Sequence, residues 1–426
     1  MLISFNCSNF RSYKDDFEFS MEATKLRNLR DSNILTVNNL SLLSSSVIYG
    51  ANASGKSNFI KAIAKMKAII KNSTNIEKTK FYPHEPFLLN IDTKKSPTKY
   101  EIEIVIDEIK YRYGFKINYD ATIKEEWLYQ KKLKPYAKDI LLFNRTKENI
   151  ELFGDFKDTK VLENKTRKDA LFLTVTAEFN NTIAQKIYQW FDKLKIISNL
   201  NTTYLEPFAF EKLKDNKYKE KIVNLIKNAD VGISDIINKN LSYDEFSRTM
   251  GDATNILKTL PTEVQENIKA NGITKIETSH MVYDKNQEFV SYEKFDLDFE
   301  SDGTKKLLAL SGPLVNSIVN GYPIIIDELD NSLHIDLIKA IIDMYHDKSV
   351  NKNNAQLIFT THNTSLLDQN IFRRDQIWFV EKDLYGSSDL YSLVEYGKGK
   401  ARDDLALEKN YNAGKFGAKP SIGKLW

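Results

Sequence analysis

The chain has 426 residues, enough for roughly two to three domains of ordinary size. Hydrophobic residues make up 42% of it and charged residues 28%, which excludes a disordered or fibrous polypeptide. The net charge of +3 is small against 61 basic and 58 acidic side chains, so charge alone neither requires nor forbids nucleic acid.

The opening segment alternates apolar and polar residues at Leu2, Ser4, Phe5 and Phe10 and continues through Phe17, Phe19 and Met21, predicting strands of a half-exposed sheet. It has no basic stretch leading into an apolar one, so no secretory leader is expected. Cys7 is the sole cysteine, so no disulfide forms within one chain, and a reducing cytoplasm is the expected location. Leu42 to Tyr49 predicts a short strand running into Gly50. An amphipathic helix follows, its apolar stripe formed by Phe59, Ile60, Ile63, Met66, Ile69 and Ile70, and it ends near Asn72 to Asn75.

Tyr100 to Tyr119 alternates strongly around a turn at Asp107–Glu108 and predicts a hairpin; Trp127 to Arg145 continues in the same style. From Glu151 to Gly272 the pattern changes to charged, helix-like segments rich in Lys and Asn, in which Phe210, Leu213, Tyr218, Ile222, Leu225 and Ile226 fit one helical face. No heptad persists there, so the region is expected to be an inserted helical lobe. From Ile273 strands return, alternating with helices as in a parallel α/β sheet. Leu307 to Ile326 carries no charge over a membrane-span length. Its Ser311, Gly312, Pro313, Asn316, Ser317, Asn320, Gly321 and Pro323 argue for a helix, a turn and a buried strand, and no membrane partner is expected.

Gly50-Ala51-Asn52-Ala53-Ser54-Gly55-Lys56-Ser57 fits the phosphate-cradling pattern G-x-x-x-x-G-K-[ST], with a strand before it and a helix after it. The glycines let backbone N–H groups curl around phosphate oxygens, and the helix N-terminus adds partial positive charge. Residues 50–57 with Asn58 form the expected ATP-binding set: Lys56 reaches the β- and γ-phosphates, and the Ser57 hydroxyl holds Mg²⁺. Tyr322 to Glu328 is an apolar run ending in two carboxylates, as a buried parallel strand delivering acids to its C-terminal edge would read. Asp327 is the expected second Mg²⁺ holder and Glu328 the general base for the attacking water, unless the acids merely cap the next helix. Gln356 to Asn363 is another apolar strand, bringing His362 to the same edge, where an imidazole can position the γ-phosphate.

These elements resemble the Walker A, Walker B and switch-histidine motifs of ABC-type ATPases of the AAA family, in the branch containing Rad50, SMC, RecF and OLD proteins. Leu329-Asp330-Asn331-Ser332-Leu333-His334 is similar to that branch's D-loop. Glu300-Ser301-Asp302-Gly303-Thr304 resembles its signature loop, reduced to a Ser-x-Gly core. The resemblance implies that Ser301 and Gly303 cap the γ-phosphate bound by a second copy; a plain helix cap by Ser301 or Asp302 is the alternative. Asn9-Phe10-Arg11-Ser12 matches the opening of such heads and implies a nucleotide-side role for Arg11, against a surface arginine. Glu178 stands where relatives carry a Q-loop glutamine. The implied fold is an α/β P-loop ABC-type head, a mixed sheet flanked by helices plus an antiparallel β subdomain. Residues 1–150 and 273–426 are its two halves, and 151–272 is an inserted helical lobe.

The feature order looks most like small bacterial defence ATPases of the RloA, AbiL and AriA type, through Phe143-Asn144-Arg145, Leu171-Phe172-Leu173 and the ending Tyr411-x-x-Gly414-Lys415-Phe416-Gly417-Ala418. That implies an ATP-driven homodimer or higher homo-oligomer controlling an effector protein, such as a nuclease, in trans. About 60 residues follow His362, too few for the Toprim domain of OLD nucleases. A RecF-like repair ATPase that binds DNA directly is the competing reading, and Lys131-Lys132-Leu133-Lys134 would serve it. A scaffold that binds ATP without hydrolysing it is the third.

Overall fold

The computed structural model describes residues 1–75, 84–198, 202–229, 232–243, 269–270, 272–331, 333–395 and 406–419, together with residues 245, 248 and 266. Ser332 of the D-loop segment lies outside the described residues. Packing divides the chain into two units, Met1–Asn199 with Ser317–Trp426, and Leu200–Asn316.

Numbered along the chain, the first unit begins with β1 (Leu2–Ser8), β2 (Phe17–Ser20), a small hairpin of β3 (Ile34–Val37) and β4 (Leu40–Leu43), and β5 (Ser45–Gly50). The stretch expected as one strand, Leu42 to Tyr49, divides at Ser44, so that β4 pairs with β3 while β5 joins a different sheet. A helix, Lys56–Asn72, follows β5. Then come β6 (Thr98–Ile106), β7 (Ile109–Ile117), β8 (Ile123–Lys132), β9 (Ile140–Thr146) and β10 (Asn149–Leu152). With β1 and β2 they form an antiparallel sheet in the order β10-β9-β8-β7-β6-β1-β2. The turn between β6 and β7 falls at Asp107 and Glu108, both at positive φ (48° and 61°), as a two-residue type I′ hairpin requires.

The second sheet of this unit collects strands from both ends of the chain. Its order is β11 (Lys195–Ile197), β15 (Ile324–Ile326), β16 (Leu357–Thr360), β5, β17 (Ile377–Lys382) and β18 (Ser388–Ser392). All neighbours are parallel except β17 and β18. The expected helix, turn and strand are all present before Glu328: the helix Asp302–Asn320, Gly321 at φ 70°, and β15. No described helix is long and apolar enough to cross a membrane.

The apolar stripe of the Lys56–Asn72 helix is buried where the two sheets meet. Phe59, Ile60, Ile63 and Met66 share one cluster with Phe5, Phe17 and Phe19 of the antiparallel sheet and with Ile48, Ile358 and Trp378 of the parallel one. Each such buried side chain contributes about 1.5–3 kcal/mol, so the helix is held along its length.

The two units divide the chain at other points than the expected lobe at 151–272. Residues 151–199 pack into the first unit: Phe156, Leu171, Phe172, Leu173, Ile187 and Phe191 belong to the same core cluster as the Lys56–Asn72 helix. Of the helices involved, Thr182–Lys193 is amphipathic, so its charged face masks the buried one in the sequence, and Phe172–Glu178 is too short for its apolar run to show a helical period. The second unit adds residues 273–316 to the rest of the lobe. It contains the helices Thr202–Lys212 and Asn216–Asn228 and a three-stranded sheet of β12 (Ile233–Leu241), β13 (Ile273–Tyr283) and β14 (Phe289–Asp296). Within that unit a Cβ at Gly312 would lie 2.6 Å from the Ala209 Cα, so the missing side chain permits a close helix approach.

A buried ion pair ties the added segment to the first sheet. Arg145 Nη1 stands 3.6 Å from Glu126 Oε2, both side chains almost fully buried. Arg145 also donates to the carbonyls of Ala170 (2.6 Å) and Lys147 (2.8 Å). Glu126 accepts from the Tyr113 hydroxyl (2.9 Å) and from the N–H groups of Phe172 (2.7 Å) and Leu173 (2.9 Å). The Phe-Asn-Arg and Leu-Phe-Leu triplets singled out in the sequence are therefore two halves of one anchor.

Candidate nucleotide-binding site

β5 lies inside the parallel sheet and ends at Gly50, and the next five residues carry the chain back into the helix that begins at Lys56. The backbone of this loop is tightly specified. Gly55 has φ 124°, and a Cβ there would lie 2.4 Å from Ser388 Oγ and 2.9 Å from Ser12 Oγ; a Cβ at Gly50 would lie 2.5 Å from the Val380 carbonyl oxygen. Only glycine fits either place. Side chains from outside the loop brace it: the Tyr13 hydroxyl donates to the Gly55 carbonyl (3.1 Å), Asn58 Nδ2 donates to Ser12 Oγ (2.9 Å), and the Ser388 hydroxyl donates to the Ser54 carbonyl.

Lys56 is buried and donates to the carbonyls of Gly50 (2.7 Å) and Ala51 (3.0 Å). Burial pulls its pKa down to about 8, against the opposing pull of Asp327, Glu328 and Asp330. The Ser54 hydroxyl is buried without a hydrogen-bond partner among the described residues. A cradle whose glycines leave no room for Cβ atoms, an orphaned hydroxyl and an ammonium resting on loop carbonyls together fit a polyphosphate.

Asp327 and Glu328 follow β15, and Thr361 and His362 follow β16, so all four reach the edge where β5 delivers the loop. Thr360 organises the two acids in a way the sequence pattern did not reveal. Its hydroxyl donates to Asp327 Oδ1 (2.6 Å) and accepts from the Glu328 N–H (2.7 Å), while its carbonyl accepts from the Leu329 N–H (3.1 Å). Asp327 is buried, whereas Glu328 is exposed and sits at φ 54°, a left-handed conformation that costs a non-glycine residue about 1 kcal/mol or more. Glu328 Oε1 lies 3.7 Å from His362 Nε2, and Asp330 Oδ2 accepts from the His362 N–H (3.0 Å).

A pocket of about 500 Å³ is lined by Asn52 to Asn58, Glu328, His362 and Lys382. The structure thus brings Lys56, Ser57, Glu328 and His362 to one cavity, with Asp327 held beside Glu328 through Thr360. The hydroxyl of Ser57 and the carboxylate of Asp327 are hard oxygen donors suited to Mg²⁺. Lys382 was missed at the sequence level, where it reads as a surface lysine ending a strand.

The remaining expected residues have contacts of their own. Arg11, at φ 50°, ion-pairs with Glu85, which also binds Lys65 (2.8 Å), and it is the neighbouring Ser12 and Tyr13 that touch the phosphate loop. Glu178 accepts from Thr74 (2.6 Å), beyond the far end of the 17-residue Lys56–Asn72 helix and so about 25 Å from the loop; it takes no part in the cradle. Ser301 and Gly303 lie in the second unit, where Ser301 Oγ accepts from the Thr304 N–H (3.1 Å) and caps the Asp302–Asn320 helix. Tyr411 stacks on Phe379 of β17 at 5.5 Å and donates to the Ala418 carbonyl (3.1 Å), so the C-terminal motif holds its own helix against the parallel sheet.

Comparison with solved structures gave low-identity matches across the whole chain. The chain is similar to the SMC head domain from Thermotoga maritima at 11% identity and a TM-score of 0.42, covering 92% of this chain and 98% of that one. It is similar to an SmcHead bound to the C-winged helix domain of ScpA at 13% identity and 0.43, covering 96% and 99%. It is also similar to an Smc head domain with an extended coiled coil, bound to the C-terminal domain of ScpA derived from Pyrococcus furiosus, at 13% identity and 0.34, covering 97% and 98%. A comparison with curated proteins gave no match. A family model matches residues 45–368, from the start of β5 to just past His362 and thus most of the chain. The chain therefore belongs to the family described as "AAA domain, putative AbiEii toxin, Type IV TA system".

Proposed function

We propose that the chain is an ATP-hydrolysing switch of the ABC type, in which two copies close on nucleotide and thereby control an effector protein. The observation that carries the reading is the convergence of Lys56, Ser57, Glu328 and His362 on one pocket at the C-terminal ends of β5, β15 and β16. Lys56 exchanges the Gly50 and Ala51 carbonyls for β- and γ-phosphate oxygens. Ser57 and Asp327 would hold Mg²⁺, which supplies charge neutralisation at the phosphates. Glu328 takes the proton of the attacking water, and His362 orients at the γ-phosphate side. Ser301, Gly303 and the helix N-terminus behind them are the elements a second copy would offer to the γ-phosphate.

The family description names a toxin and a type IV toxin–antitoxin system, which supports an abortive-infection role. An effector acting as a separate protein, such as a nuclease, is our reading beyond that description. Phosphate release from Mg-ATP by the full chain tests the enzymatic part. Lys56→Ala and Glu328→Gln each lower the rate by at least about 100-fold on this account. Turnover that survives both substitutions sinks it.

A further inference from the structure

Lys382 is the one pocket-lining cation that neither the phosphate-loop pattern nor the acidic strand accounts for. It ends β17, which pairs with β5 in parallel through Val380 opposite Gly50. Two residues further on, Lys382 runs alongside the phosphate loop, about 7 Å past that register at the rise of a strand. Its partner across the hairpin is Ser388, whose hydroxyl donates to the Ser54 carbonyl and whose N–H donates to the Ser12 carbonyl (2.7 Å). The hairpin is thus fixed to the loop, and Lys382 is fixed with it.

The strand order decides which side of the loop this is. β5 stands between β16 and β17, and β15 lies beyond β16. His362 and Glu328 therefore approach from one flank and Lys382 from the other. Lys382 also borders a second cavity of about 620 Å³, whose lining includes Asp15, Asp16, Glu381, Asp383 and Asp389. Five carboxylates surround it, yet Lys382 forms no ion pair within 4 Å among the described residues, whereas Asp383 is spent on the N–H groups of Tyr385 and Ser387 (2.9 and 2.8 Å). An unpaired ammonium beside an acidic wall and facing a phosphate cradle is placed to meet an anion in that cradle.

We propose that Lys382 is a second phosphate-binding cation of this site. It holds the nucleoside-proximal phosphates from the flank opposite Glu328 and His362, so that the nucleoside leaves the cradle toward the neighbouring cavity. The inference rests on the nucleotide-site reading above, and the test separates the two.

The experiment is equilibrium binding of ATP and of ADP, with Mg²⁺, to the full chain and to Lys382→Ala, Lys382→Arg, His362→Ala and Lys56→Ala. Lys382→Ala raises the Kd for ATP and for ADP alike by about tenfold, while Lys382→Arg stays within about threefold of the parent. His362→Ala weakens ATP more than ADP, because its flank meets only the γ-phosphate. A thermal melt unchanged by Lys382→Ala shows that binding, not folding, was altered, as expected for an exposed side chain. Parental affinity for both nucleotides in Lys382→Ala, with Lys56→Ala impaired, overturns this proposal and leaves the nucleotide site standing. Loss of ATP affinity alone in Lys382→Ala puts the lysine at the γ-phosphate and overturns the flank assignment. A parent chain that binds neither nucleotide overturns both readings.

Discussion

Glu126 and Glu328 each stand beside a side chain able to carry positive charge, yet their surroundings differ in every other respect. Glu126 is buried against Arg145, with a tyrosine hydroxyl and two backbone N–H groups on its oxygens. Glu328 is exposed, 3.7 Å from His362, on a backbone held left-handed. A carboxylate whose lone pairs are all used inside the protein has nothing left for a ligand and contributes to the fold. A carboxylate kept loosely partnered, at the cost of backbone strain, is free to take a proton from outside. The same contrast separates two of the five histidines: His346 is buried on Ser45 Oγ at 2.7 Å, while His362 faces the pocket.

Substitutions should divide along that line. Glu126→Ala leaves the Arg145 guanidinium buried without its counter-charge, which costs about 3–5 kcal/mol and is read from the urea midpoint. Glu328→Gln changes stability by less than about 0.5 kcal/mol while removing turnover. A Glu126→Ala protein as stable as the parent would break the distinction.

The histidines give a pH test of the same kind. Burial lowers the His346 pKa to about 4, below the 6.5 of an unfolded histidine. Between those values the unfolded chain binds more protons, so stability present above pH 6.5 is lost as pH falls toward 4. The loss is about 3 kcal/mol from this residue, and His346→Gln flattens the slope. The smallest effect belongs to Lys56. With its pKa at about 8 before ligand binds, it loses its proton as pH rises through 8, and phosphates favour the charged form. The Kd for nucleotide then rises by up to about tenfold per pH unit between pH 8 and 10, measured by equilibrium binding.

The legible parts of the molecule were those in which a chemical requirement acts on contiguous residues. The phosphate loop needs glycines at fixed spacing, and a strand buried on both faces needs an unbroken apolar run, so Gly50–Ser57, Ile324–Glu328 and Leu357–His362 stood out. Thr360 and Lys382 did not, because their roles depend on which strands become neighbours. Thr360 matters because β15 lies beside β16, and Lys382 because β17 lies beside β5. The division of the chain was hidden for a related reason. The segment 151–199 shows Lys and Asn on its surface, and the strand of sequence that marks its attachment is the Glu126–Arg145 pair, two charged residues that a one-dimensional pattern assigns to solvent.

Light scattering on the Glu328→Gln chain with and without Mg-ATP shows whether nucleotide brings two copies together, as proposed above. The expected mass is that of a single chain without nucleotide and twice that with it, and Ser301→Arg abolishes the change. A mass that is the same in both conditions would contradict it.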